Sequence, residues 1–138
     1  MNAIVELPGR TERALCLKHL DALLEATPDI GGALVSSVDG FEVAARLKPN
    51  LSPATLSAMT SSQLALGEAI CGETAMGACL NVVIESEHGH VLMMNVPNRR
   101  SKMLLTVLCC DGVSLGGLLW PVRRCAEEIG KRIDECAV

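Results

Sequence analysis

The stretch SPATLSAMTSSQLALGEAIC, residues 52–71, carries a single charge, Glu68. Ser52 is a natural N-cap and Pro53 suits the first helical position, so the pattern predicts a helix. A helix at a domain surface normally turns a charged stripe toward water. This one has no such stripe, and its second side needs other cover. At 100° per residue it divides into three strips. Leu56, Met59, Gln63, Leu66 and Ile70 make a large apolar strip, expected to lie on a sheet. Ala54, Ala58, Ser62, Ala65 and Ala69 make a strip of small side chains, which lets another backbone come close. Ser57, Ser61, Leu64 and Glu68 make the most polar strip, expected to face solvent. The small strip predicts a second copy of the helix packed across a two-fold axis. The alternative is that Ala and Ser simply fill an exposed face as good helix formers.

The flanking segments supply the sheet. Arg13 to Ala26 reads as a helix with Cys16, Leu20, Leu23 and Leu24 on one stripe, Thr11 as N-cap and Pro28 beyond its end. Ala33–Val38 and Phe41–Leu47 are short β-rich runs separated by Asp39-Gly40, a pair that accepts positive φ and signals a hairpin. Leu80–Glu87, Val91–Val96 and Met103–Cys109 read as three further strands, with turns at Gly89 and at Pro97–Arg100. The run MLLTVLCC is apolar on both faces, as a central strand would be. From Ser114 onward Leu115, Leu118, Leu119, Val122, Ala126, Ile129 and Ile133 recur at helical spacing. Pro121 would delete one hydrogen bond there, predicting a kink or a late start. The order α-β-β-α-β-β-β-α has no βαβ rhythm, so the fold class is α+β, an antiparallel sheet with helices on its faces, and residues 1–138 read as a single domain. Val82, Val83 and Ile84 are consecutive apolar residues; a strand so built needs protection at a sheet edge, and pairing with its twin through Asn81 and Val83 would supply it.

Composition excludes several functions. Phe41 and Trp120 are the only aromatic residues, which leaves little for stacking bases or sugars. A net charge of −4 opposes binding to nucleic acid. No export signal and no membrane span is legible, and seven cysteines without such a signal read as reduced thiols, buried as small hydrophobes, in a cytoplasmic protein.

The segments GGALVSSVDGFEVAARL, NVVIESEHGHVLMMNV and SLGGLL, with an alanine-rich helix after the first, resemble the Roadblock family. The resemblance runs from about Leu15 to Ile133 and is carried by Gly32, Ala33, Ser37, Asp39-Gly40 and Leu115-Gly116. It implies a profilin-like, five-stranded antiparallel sheet of order 2-1-5-4-3, the first and last helices on one face and the middle helix on the other. It also implies a homodimer, formed through the middle helix and third strand, with a continuous ten-stranded sheet. Many members of that family regulate or scaffold Ras-like small GTPases by contact, holding the GTPase in one arrangement and shifting its population. The absence of a phosphate-binding G-x-x-x-x-G-K-[ST] loop fits a protein with no nucleotide pocket of its own.

The expectation is therefore a non-catalytic, homodimeric regulator of a small GTPase, with no cofactor, metal, membrane or nucleic acid. Ser57, Ser61, Leu64 and Glu68 would contact the partner; Leu64 would be the apolar anchor, and Leu64→Arg would abolish binding without disturbing the fold. The alternatives are a scaffold subunit of a larger assembly and, from a different class, a small-molecule sensor, which the shortage of aromatic and convergent polar groups weakens. His88 and His90, beside Glu85 and Glu87, could bind a transition metal, although a tight turn aims them apart. Cys109 and Cys110 should point to opposite faces, which disfavours a shared role. Arg99, Arg100 and Lys102 make a basic turn that could meet an acidic group. Ser36 and Ser37 lie in a strand with no nucleophile elbow around them.

Overall fold

A computed structural model describes residues 9–136. Helix α1 spans Arg10–Ala26, strands β1 and β2 span Ile30–Ser37 and Glu42–Arg46, and helix α2 spans Pro53–Glu73. Strands β3, β4 and β5 follow at Val82–Ser86, Gly89–Val96 and Met103–Cys110, and helix α3 spans Leu115–Glu135. All pairings are antiparallel and the sheet order is β2-β1-β5-β4-β3. The expected element order and sheet order both hold.

The middle strand is built as its composition requires. Met103 to Val107 of β5 are buried without a break, because helices cover both faces of the sheet there. On one face Val35, Leu92, Met94, Val96, Leu105 and Val107 pack with Cys16, Leu20 and Leu23 of α1 and Leu118, Val122, Ala126, Ile129 and Ile133 of α3. This is the main core. On the other face Leu34, Met93 and Leu104 are covered by α2, whose Leu64 is 2% exposed.

Several local details differ from the sequence reading. Helix α1 begins earlier, with Gly9 rather than Thr11 at its N-cap. The β1–β2 turn has three residues, not two: Gly40 N donates to Ser37 O, Ser37 N donates to Phe41 O, and Gly40 alone takes positive φ, at 93°. That is a type I turn closed by a left-handed glycine, a standard three-residue hairpin loop. The β3–β4 turn is tighter than expected, with Ser86 opposite Gly89 and only Glu87-His88 between them. Gly89 has φ 144°, and a Cβ there would sit 2.2 Å from the Cys109 carbonyl oxygen.

Pro121 neither ends α3 nor delays its start; the helix runs through it from Leu115. A proline ring crowds the carbonyl four residues back, here that of Gly117. Gly116 and Gly117 are exposed, with little around them, so the first turn has room to adjust. At its far end α3 is pinned to the β4–β5 turn. A Cβ on Gly130 would lie 1.9 Å from the Pro97 carbonyl oxygen, and Asp134 Oδ1 accepts from Arg99 N at 2.9 Å. Asn98 holds the turn itself, accepting from Arg100 N and Ser101 N and donating to Val96 O.

Candidate interaction surface

Helix α2 starts as its sequence dictates: Ser52 Oγ accepts from Thr55 N at 3.2 Å, with Pro53 in the first turn. Its orientation is the main departure from expectation. Ser57, Ser61 and Leu64, expected at the surface, face the sheet at 0%, 8% and 2% exposure. Met59, Leu66 and Ile70, expected on the sheet, are 63%, 54% and 56% exposed. The reason is close packing. Ala58 and Ser61 touch the β1–β2 turn so tightly that a Cβ on Gly40 would lie 3.3 Å from Ala58 Cα. At the other end, a Cβ on Gly67 would lie 2.7 Å from Val82 Cγ2. Small residues inward let α2 settle onto the sheet, and the bulky strip turns outward. Leu64→Arg would therefore place a charge in the interior and disturb the fold, contrary to the expectation.

Glu68 is the one member of the polar strip that stays exposed; its Oε1 accepts from Asn95 Nδ2 of β4 at 2.9 Å. The small strip, Ala54, Ala58, Ser62, Ala65 and Ala69, is exposed throughout. Its outer face is thus apolar on both flanks. Gln63 and Ile70 flank Gly67 at one-turn spacing, so the large strip is nearer β3 and the small strip nearer the β1–β2 turn.

The surface continues off the helix. Met76 and Leu80, in the connection after α2, are 80% and 70% exposed, and Ile84 of β3 is 43% exposed. Together with Met59, Leu66 and Ile70 these make six of the nine large apolar side chains exposed among the described residues. A concentration of this kind marks an interaction surface rather than scattered exposure. β3 borders it as an edge strand, bonded only to β4, with Asn81, Val82 and Val83 half-buried. An apolar edge strand left open is a template for pairing.

Beneath α2 the contact is unusually polar. Ser36, Ser57 and Thr106 are buried, and the hydroxyls of all three lack a hydrogen-bond partner. Thr60 and Ser61 instead turn back onto their own helix, donating to Leu56 O at 2.7 Å and Ala58 O at 2.9 Å. The buried orphans were not legible in the sequence, because only the inward turn of α2 creates them.

The remaining candidates separate. His88 is exposed, 4.0 Å from Glu87, whereas His90 lies in β4 opposite Cys109. Among the described residues no group of three or more His, Cys, Asp or Glu side chains could hold a metal ion. Cys109 is buried and Cys110 exposed, on opposite faces as alternation requires. The expectation that all seven cysteines are buried fails for four of them: Cys71 and Cys79 are half-buried, and Cys110 and Cys136 are exposed. In the basic turn, Arg100 lies 3.6 Å from Glu12, and Arg99 and Arg100 line an open cleft with Lys131, Asp134 and Glu135. Among the described residues no helix is long and apolar enough to cross a membrane.

Five antiparallel strands in this order, two helices on one face and one on the other, define an α+β domain of profilin-like architecture. Residues 17–108 match the Roadblock/LC7 domain, and the chain belongs to that family. The uncharacterized protein MJ1340 of Methanocaldococcus jannaschii is 31% identical over 106 residues, covering 77% of this chain and 90% of that one. Among solved structures, Myxococcus xanthus MglB superposes with a TM-score of 0.80 at 14% identity, covering 94% of this chain and 96% of its own. An MglB with tetrameric arrangement superposes with a TM-score of 0.80 at 21% identity over 100% of both chains.

Proposed function

We propose that this protein is a non-catalytic, homodimeric regulator of a Ras-like small GTPase, acting in the cytoplasm. The single observation that carries the reading is the uncharged outer face of α2 running into the open edge of β3, on a Roadblock/LC7 fold. The twin meets the β3 edge, with Asn81 and Val83 at the seam, together with the nearer α2 strip of Met59, Gln63, Leu66 and Ile70. The two sheets then join as ten strands. Ala54, Ala58, Ser62, Ala65 and Ala69, further from the edge, belong to the same face and lie open beside the paired helices. There they form the floor on which the GTPase docks, with Glu68 at its margin. Ser57, Ser61 and Leu64 hold the floor in place from below. Similarity to an MglB in a tetrameric arrangement supports self-association, and the family resemblance supports the class of partner.

The test has two stages. Sedimentation at micromolar concentration is expected to give twice the chain mass. Affinity capture from the source cell is then expected to recover a Ras-like GTPase, bound in one nucleotide state and lost on Ala65→Arg. A monomer, or a dimer that captures no GTPase in either state, refutes the proposal.

A further inference from the structure

Two of the partly accessible cysteines lie together at the end of α2. Cys71 sits in its last turns and Cys79 in the connection to β3, eight residues later. Cys79 Sγ lies 3.4 Å from the position a Cβ on Gly67 would take. Cys71 is one helical turn beyond Gly67, on the same side. The missing side chain at Gly67 makes the space into which Cys79 points. Burial first, and then the Cys71 thiol, raise the pKa of Cys79. The connection folds back through left-handed Ala75, at φ 55°, and Gly77, at φ 87°.

We propose that Cys71 and Cys79 form a dithiol site that a low-molecular-weight disulfide oxidises to one intramolecular bond. The Cys71 thiolate attacks the disulfide, here oxidised glutathione, forming a mixed disulfide and releasing one glutathione. Cys79 loses its proton to solvent, attacks the Cys71 sulfur and releases the second. Two protein thiols are oxidised, one disulfide is reduced to two thiols, and no other reagent is needed. Cys79 acts second: burial raises its pKa and disfavours its thiolate until the mixed disulfide has formed beside it. The bond ties the end of α2 to the lead into β3. Cys16 and Cys125 stay out of this chemistry: burial pushes their thiols up to about 12 and about 11.

The experiment uses the full chain carrying Cys110→Ser and Cys136→Ser, treated with oxidised glutathione in mildly alkaline buffer and then alkylated. Before alkylation the intact mass is expected to fall by two hydrogens, and alkylation should then leave Cys71 and Cys79 unlabelled. Cleavage after glutamate should release residues 69–73 joined to residues 74–85, and dithiothreitol should part them. In a further Cys79→Ser variant the glutathione is expected to remain on Cys71. The proposal is overturned by stable glutathione on Cys71 or Cys79 when both are present. It is equally overturned by a bond to another cysteine or between two copies, or by free thiols under conditions that modify Cys110 in the unsubstituted protein.

Discussion

Leu64 and Ile70 are side chains of equal size on one helix, and the structure gives them opposite fates. Leu64 is 2% exposed against the sheet, whereas Ile70 is 56% exposed on the outer face. Truncating Leu64 to alanine removes buried apolar atoms and leaves a cavity. The surrounding structure relaxes into such a cavity only in part, so a cost of about 3 kcal/mol is expected. For a chain of this length that lowers the melting temperature by roughly 10 °C. Truncating Ile70 leaves no cavity in the protomer. About half of that side chain remains to be covered by a twin, roughly 1 kcal/mol per copy and about 2 kcal/mol across a two-fold axis. The dimer dissociation constant should then rise by about 30-fold. Melting must be compared at one fixed protein concentration, because dimerisation itself raises the midpoint. The assay pairs thermal denaturation with sedimentation equilibrium on Leu64→Ala and Ile70→Ala. If Leu64→Ala melts within about 2 °C of the parent, the inward orientation of α2 is wrong. If Ile70→Ala leaves self-association unchanged, the outer face is not where the twin sits.

Three further outcomes follow from geometry already described. Ser57→Ala removes a buried hydroxyl that has no partner and should stabilise the protein by about 1 kcal/mol in urea titration. A loss of stability would show that the hydroxyl is satisfied. Gly130→Ala forces a methyl group into the Pro97 carbonyl and should cost at least about 2 kcal/mol, whereas Gly72→Ala, with open space around it, should cost nothing measurable. The Arg46 hydrogen bond lowers the pKa of Asp21, outweighing a smaller opposing desolvation and aided last by the Arg46 charge. The stability it adds is complete above the ordinary carboxylate pKa and disappears as pH falls through the lowered value. In an NMR titration Arg46→Ala should therefore move the Asp21 midpoint upward, and an unmoved midpoint refutes the pairing.

Periodicity and turn chemistry were enough to place all eight elements, because each signal is local. Asp39-Gly40 marked the first hairpin, Ser52-Pro53 the start of α2, and the unbroken apolar run at Met103–Val107 the central strand. The strand order came from family resemblance, since nothing in five short apolar runs says which two are neighbours. What the sequence did not disclose was which side of α2 points inward. Two of its strips are rich in apolar residues and the third contains Leu64, so hydrophobicity hardly distinguishes them. The decision rests on distance: Gly40 and Gly67 bring backbone and β3 so near that serines fit below the helix and Met59 does not. That information is tertiary, and the partner surface shifted with it. The late start that Pro121 allowed for does not occur for a related reason, because the open space around the glycines at 116 and 117 matters only once the helix is built around them. The pairing of Cys71 with Cys79 likewise depends on how the connection folds back, which the spacing of the two residues does not reveal.

The three unpartnered hydroxyls of Ser36, Ser57 and Thr106 bear on how the molecule comes apart. Each is a standing debit in the seam between α2 and the sheet, while the opposite face is sealed by far more apolar packing. Fluctuation under native conditions will accordingly begin with this helix, whose amides should exchange with solvent before those of α1 and α3. Anything that clasps the outer side of α2, be it a twin or a guest, therefore does more than occupy a surface: it fastens the least secure wall of the domain.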